Sequence, residues 1–387
     1  MSSNISSTPQ GFSAFITNLG IRDTTDDFVF IKSSVPCVAD GVFTQSLFAG
    51  PSVTVSRDNL KDSQAQAVVV ISKNANVANG AVGIADAQEV LQLVATETGI
   101  AAHNIAIAST GVIGRRYPIE KIRAGLLGFG KKLTDADFNA AARGIMTTDT
   151  VAKLVTRQIG NAKLVGIAKG VGMIEPNMAT LLTFFFTDAA IPANSLRSIF
   201  RSTIDKTFNC LSIDTDTSTS DSAVILANGL AGKVSESDFA IALQEVAQEL
   251  VLKIARDAEG ATKIIEVTVD SAINYAQAKK VAKAIVNSPL VKTAVYGADP
   301  NWGRVAMAIG KCEDEQQINP ELVVISFDNV KVYPNSLTNE NLEQLRQIMS
   351  KAKVDIHVSL NIGKASATVW GCDLSEGYIE INGKYST

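Results

Sequence analysis

Thr180 stands where a nucleophile would be placed, in the stretch of residues 169–186 that reads KGVGMIEPNMATLLTFFF. Glycines and a proline precede it and a nearly unbroken apolar run follows, so an irregular segment passes straight into a buried element at this residue. A loop exposes a reacting atom while the element behind it fixes the position. A β-branched residue also commonly just opens a strand, and spacing alone leaves both readings open. The chain has only two histidines, His103 and His357. His103 precedes an apolar run and His357 alternates with Ile356 and Val358, so both read as structural. A covalent enzyme built on this chain would need a base other than histidine.

Other chemistries fail on particular residues. Residues 125–132, GLLGFGKK, nearly spell a phosphate-binding loop, but Lys132 replaces the Ser/Thr that would hold magnesium and a helical pattern precedes it. Gly170-Val171-Gly172 begins a dinucleotide fingerprint, yet Glu175 takes the third glycine position and Pro176 would break the required helix. Asp214 and Asp216 suggest a calcium loop, but Thr219 and Ile225 occupy the glycine and bidentate-glutamate positions. Cys37, Cys210, Cys312 and Cys372 are scattered without CxxC spacing, which suits neither a zinc site nor a disulfide framework. A net charge of −4 argues against a nucleic-acid partner. The polar start MSSNISSTPQGF has no signal-peptide core, and no run approaches the ~18 apolar residues of a membrane span, so a cytoplasmic protein with no membrane partner is expected.

The elements that must position these residues are mixed. Short β-type runs are expected from 11 to 56, including Phe28 to Ile31 and Val53 to Val55, and AVVVIS within 66–72 reads as a strand covered on both faces. Asp86 with Glu89 looks like the capped start of a helix that Gly99 stops. A strand at 105–108 runs into the small-residue turn 109–114, a natural place for exposed N–H donors. Helices are expected from Pro118, at 134–145, 192–207, 235–256, 275–286 and 338–349. Strands are expected near 164–168, 264–269, 322–327, 354–360 and 365–370, and the tract 212–222 reads as a polar loop. Without regular βα alternation, the fold class is layered α/β or α+β. With 46% hydrophobic and 19% charged residues, there is material for a large core.

The stretch KGVGMIEPNMATLL closely resembles the self-cleavage site of the ornithine acetyltransferases, or glutamate N-acetyltransferases. Ordered matches extend it over essentially the whole chain: Lys73-Asn74-Ala75-Asn76, Ser109 to Gly114, Met146 to Thr150, Asp257 to Ala261, and Asp299 to Arg304. The resemblance implies a two-domain α/β sandwich with nucleophile geometry like that of N-terminal-nucleophile hydrolases. It implies self-cleavage between Ala179 and Thr180 into interleaved fragments 1–179 and 180–387, so that the cut is not a domain boundary. The implied assembly is a heterotetramer of two copies of each fragment.

The chemistry implied by the resemblance fits the residue choice. Thr180 becomes an N-terminal residue whose α-amine, with an ordinary pKa of about 7.7–8.0, can serve its own hydroxyl as base. The nucleophile takes an acetyl group from N-acetylornithine, releases ornithine, and passes the group to glutamate to give N-acetylglutamate, with no cofactor or metal. The family's oxyanion hole maps onto Thr110 and Gly111. Its substrate contacts map onto Thr147 or Thr148, Lys169, Thr180, Glu259, Asn382 and Thr387. Lys169 suits a substrate carboxylate and Glu259 the ornithine ammonium. A self-processing amidase or aminopeptidase on the related fold is the alternative.

Overall fold

The structure is a computed structural model that describes residues 8–175, 181–335 and 337–384. The proposed cleavage pair, Ala179 and Thr180, and the terminal Thr387 lie outside the described residues.

The apolar runs of the first part of the chain form one large mixed sheet. Its strands are β1 (Phe12–Thr17), β2 (Phe28–Phe43), β3 (Gln64–Ile71), β4 (Ile105–Ser109), β5 (Thr134–Asp135), β6 (Lys153–Ile159), β7 (Ala162–Lys169), β8 (Leu182–Ala190) and β9 (Ser222–Lys233). They lie in the order β4-β3-β2-β9-β8-β7-β6, with β1 against β2 and β5 against β1. The β3/β4 and β8/β9 pairs are parallel. Strand β2 is long enough to serve two neighbourhoods. Its first half pairs with β1 and β3, a register shift between Lys32 and Cys37 bends it, and Val38 to Phe43 pair with β9. Pro36, which has no N–H to give a ladder, falls in that irregular segment. Strands β8 and β9, from beyond residue 180, therefore sit between β7 and β2, from before it.

Helices cover both faces of this sheet: α1 (Pro51–Asn59), α2 (Gly80–Thr98), α3 (Ile119–Leu126), α4 (Phe138–Gly144), α5 (Ala193–Lys206) and α6 (Glu236–Arg256). On β8, Phe185 points to one side, 5.8 Å edge-on to Phe200 of α5, while Phe186 meets Phe12 and Phe138 on the other. That two-sided burial is why LLTFFF reads as a continuous apolar run rather than an alternating one. At roughly 1.5–3 kcal/mol per fully buried side chain, the three phenylalanines give this strand several kcal/mol of anchorage.

The second sheet comprises β10 (Ile264–Ala272), β11 (Val324–Phe327), β12 (Val330–Tyr333), β13 (Lys353–Ser359) and β14 (Ala365–Cys372), ordered β12-β11-β13-β10-β14. It carries α7 (Tyr275–Val286), α9 (Trp302–Gly310) and α10 (Asn339–Met349), with α8 (Pro289–Tyr296) against α7 and α9, and α11 (Glu376–Lys384) follows β14. Helix α6 packs on β6 and β7 of the large sheet and on β10 and β14 of the small one, inside a shared apolar core. The molecule is thus a layered α/β structure, as the pattern predicts. Among the described residues, no helix is long and apolar enough to cross a membrane.

Three local expectations are corrected. Val53 to Val55 lie in α1, not a strand: Pro51 sits in the first turn, and burying both valines outweighs their β propensity. Asp86 does not begin a helix but lies inside α2, where its carboxylate holds Arg116 through two bonds of 2.8 and 3.0 Å. The expected helix 134–145 is shorter. Thr134 and Asp135 pair with β1, and Asp137 caps α4 by accepting from the N–H groups of Asn139 and Ala140.

Candidate functional site

A cavity of about 120 Å³ opens at one end of the large sheet, where β4 and β7 end and β8 and β9 begin. The turn after β4 contributes Thr110 and Gly111, the turn before β6 contributes Thr147 and Thr148, and the end of β7 contributes Lys169 through Met173. Leu181 and Leu182, the first described residues after position 180, form a further wall with residues 218–221. Glu259 follows α6, and Asn382 reaches in from α11. Every candidate binding residue that is described lines this one space.

Close backbone approach fixes the turn after β4. Gly111 has φ +128°, and a Cβ there would lie 2.2 Å from the carbonyl carbon of Lys73, so a glycine is required. The facing segment is held by Asn74, whose side-chain amide donates to the Arg116 carbonyl at 2.9 Å and whose oxygen accepts from the Asn76 N–H at 2.8 Å. Thr110 spends its own N–H on the Ile71 carbonyl at 3.0 Å. Its hydroxyl oxygen accepts from Lys169 Nζ at 3.1 Å. With that lone pair occupied, the hydroxyl proton is what Thr110 has left to donate.

Below this wall runs a buried charge network. Lys153, fully buried at the start of β6, donates to Asp149 at 2.7 Å and to Asp257 at 2.6 Å. Asp149 in turn accepts from the N–H of Gly170 at 2.8 Å and of Thr147 at 3.1 Å. Asp257 accepts from the N–H and hydroxyl of Thr150. One lysine therefore fixes the turn carrying Thr147 and Thr148, the exit of β7 and the exit of α6. Burial pushes the Asp149 carboxyl up, but the Lys169 and Lys153 charges and these hydrogen bonds outweigh it and hold the group below the usual carboxylate range. Burial lowers the pKa of Lys169, against the pull of Asp149.

Glu259 is oriented from three sides. Thr148 Oγ1 donates to one carboxylate oxygen and Asn382 Nδ2 to the other, each at 3.1 Å. Gly172 backs it so closely that a Cβ would lie 2.4 Å from Oε2. Of the two candidate threonines, Thr148 touches Glu259, whereas Thr147 is tied through its backbone to Asp149. Asp214 accepts from the N–H groups of Met173 and Ile174, both at 2.7 Å. Glu175 accepts from Asn287 Nδ2 at 2.8 Å. The tract 212–222, expected to be a plain polar loop, thus fastens the chain just ahead of residue 176 and walls the cavity.

The remaining candidates fall elsewhere. The Asp299 to Arg304 motif leads into α9, where Arg304 donates to the Leu290 carbonyl at 2.7 Å and Trp302 lies 5.5 Å from the Tyr333 ring. His357 pairs with Asp270 at 2.8 Å on the small sheet, away from the cavity lining. The four cysteines are buried and free. Sequence reasoning assigned no role to Asp149, Lys153, Asp214, Asp221 or Asp257, all of which wall or brace the site. A charged residue embedded in apolar text, Val151 to Val155, was the available signal for Lys153; Asp221, within the polar tract 212–222, carried none.

A family model described as ArgJ family matches residues 13–387. The chain is 82% identical, over all of both sequences, to arginine biosynthesis bifunctional protein ArgJ 2 of Nostoc sp. (strain PCC 7120). It is 50% identical, again over all of both, to glutamate N-acetyltransferase Oat2 of Streptomyces clavuligerus. A crystal structure of the ArgJ protein of Bacillus halodurans is 38% identical, with a TM-score of 0.48 over 51% of this chain and 96% of that one.

Proposed function

The chain belongs to the ArgJ family, and from that premise we propose that it moves an acetyl group from N-acetylornithine to glutamate through an acetyl-threonine at Thr180, after cutting itself between Ala179 and Thr180. The observation that carries this reading is the cavity itself. Thr110, Gly111, Thr147, Thr148, Lys169, Glu259 and Asn382, drawn from five separate stretches, meet in one space bordered by Leu181.

The residues divide the work by charge. As the nucleophile attacks, the acetyl oxygen gains negative charge, and the Thr110 hydroxyl with the Gly111 backbone provides preorganised donation. The Glu259 carboxylate, held by Thr148 and Asn382, takes the ornithine side-chain ammonium. Lys169 supplies the positive counterpart for a substrate carboxylate. Glutamate then accepts the acetyl group, so one amide replaces another and no external energy source is needed. The fragments, residues 1–179 and 180–387, stay together because β8 and β9 lie between β7 and β2. Two copies of each fragment in the cytoplasm complete the proposal.

Intact mass under denaturing conditions and an acetyl-transfer assay test it together. Wild type is expected as two fragments that pass acetyl from N-acetylornithine to glutamate, and Thr180→Ala as one uncut, inactive chain. Cleavage of Thr180→Ala at the same bond would refute the nucleophile. Equal acetate release with and without glutamate would instead favour an amidase.

A further inference from the structure

Asp221 has no part in the network that braces the cavity, yet it forms part of its wall. Its residue is 2% exposed, and among the described residues its Oδ2 has no hydrogen-bond partner. A buried carboxylate with an orphaned oxygen is costly, whereas a neutral acid can wait for a ligand. The charge count agrees. Lys153 is ion-paired with Asp149 and Asp257, and Lys169, the cation that faces Asp221, is faced by Asp149 and Glu259 as well, so Asp221 has no cation to itself. Burial drives the Asp221 carboxyl well above the usual range, against the opposing influence of Ser218 in its own loop, Lys169 from β7 and Thr44 beyond β2. Lys169 is itself faced by Asp149, Lys153 and Glu259.

We propose that Asp221 is the acid–base group of the transfer, its free carboxyl oxygen hydrogen-bonding the nitrogen that leaves in the first half-reaction and attacks in the second. The inference rests on the acetyl-transfer reading above. In the first half-reaction the threonine oxygen bonds to the acetyl carbon and gives its proton to the α-amine. The C–N bond then breaks, and the Asp221 acid gives its proton to the departing nitrogen, which leaves as a neutral amine. The carboxylate so formed faces Lys169. In the second, the glutamate nitrogen bonds to the acetyl carbon, Asp221 takes a proton from it, and the threonine oxygen leaves with the proton held by the α-amine. Each group ends as it began. An amide nitrogen is too basic to leave unprotonated, so a site for amide donors needs such an acid, and an ester donor does not.

Asp221→Asn keeps the shape and the neutral charge but transfers no proton. Acetyl-enzyme formation should be measured with N-acetylornithine and with 4-nitrophenyl acetate, whose phenolate leaves unaided. The variant is expected to lose about 100-fold or more with the amide while the ester rate stays within about threefold, the scale of general acid catalysis. Equal losses with both donors, or an amide rate near wild type, overturn the proposal. Fragment masses and thermal midpoints show first whether the variant is cut and folded. If it is not, wild type decides: the amide-to-ester rate ratio should fall as pH rises through the Asp221 value, and a ratio flat from roughly pH 5 to 10 refutes the role. Wild type that reacts with the ester but never with N-acetylornithine defeats the acetyl-transfer reading, and this inference with it.

Discussion

Replacing Lys153 with methionine tests whether the buried network holds the site in place. The ammonium is about 1% exposed in its side chain and makes bonds of 2.7 and 2.6 Å to two carboxylates that are themselves 0% and 6% exposed. Methionine keeps the stem and leaves both acids uncompensated, a change that costs about 3–5 kcal/mol where a buried pair is broken from one side. At roughly 2 °C per kcal/mol for a chain of this size, the thermal midpoint should drop by roughly 8 °C at pH 7. The pH dependence has a definite sign. Asp149 titrates below its reference 3.8 in the folded protein, so its stabilisation is complete above that value and fades as pH falls through the folded value. In Lys153→Met, Asp149 loses the Lys153 charge and hydrogen bond that hold it low and takes up its proton sooner, so the gap between variant and wild type should shrink toward acid pH. Scanning calorimetry at fixed rate from about pH 7 to 4 checks this. A gap under about 1 kcal/mol at pH 7, or one that widens on acidification, would refute the network. Adding Asp149→Asn and Asp257→Asn should recover part of the loss, because both unpaired charges are then gone.

Two further outcomes follow from single contacts. Gly172→Ala places a methyl 2.4 Å from Glu259 Oε2, so it should raise the KM for N-acetylornithine about tenfold, as for a displaced charge-assisted hydrogen bond, with kcat changed far less; steady-state kinetics reads the split. Asp137→Ala removes the cap that serves Asn139 and Ala140 and should cost about 1 kcal/mol of stability with no change in activity, measured by urea unfolding.

Much of the scaffold is legible because it is periodic. Helix α6 shows Phe239, Leu243, Val246, Leu250 and Ile254 on one buried face, and α7 is capped by the preceding Asn274, whose side chain accepts from the Gln277 N–H. What escapes sequence is set by long-range pairing. Asp86 has the type and spacing of a cap, and only the distant Arg116 explains why it lies inside a helix. Val53 and Val55 are strand formers by propensity and helical by burial. In the site, the residues meant to touch ligands were reached through a resemblance, whereas those that hold them were not. Lys153 and Asp257 stand 104 positions apart and become partners only once β6 and the exit of α6 are folded together.

The buried network also explains why the cavity is built from charges where apolar residues would pack more cheaply. Leucines in place of Lys153, Asp149 and Asp257 would cost no desolvation, but they could not accept from the Gly170 and Thr147 N–H groups. Those N–H groups belong to the two turns that set Lys169 and Thr148 around the cavity, and an irregular backbone buried there needs acceptors. The aspartates satisfy it, and Lys153 together with Lys169 balances their two charges. Against that background the half-buried Glu259 offers its carboxylate to the proposed cationic substrate, and Asp221 shares the cation that faces it, Lys169, with Asp149 and Glu259. The same balance that fixes the geometry thus sets the protonation state the proposed chemistry requires.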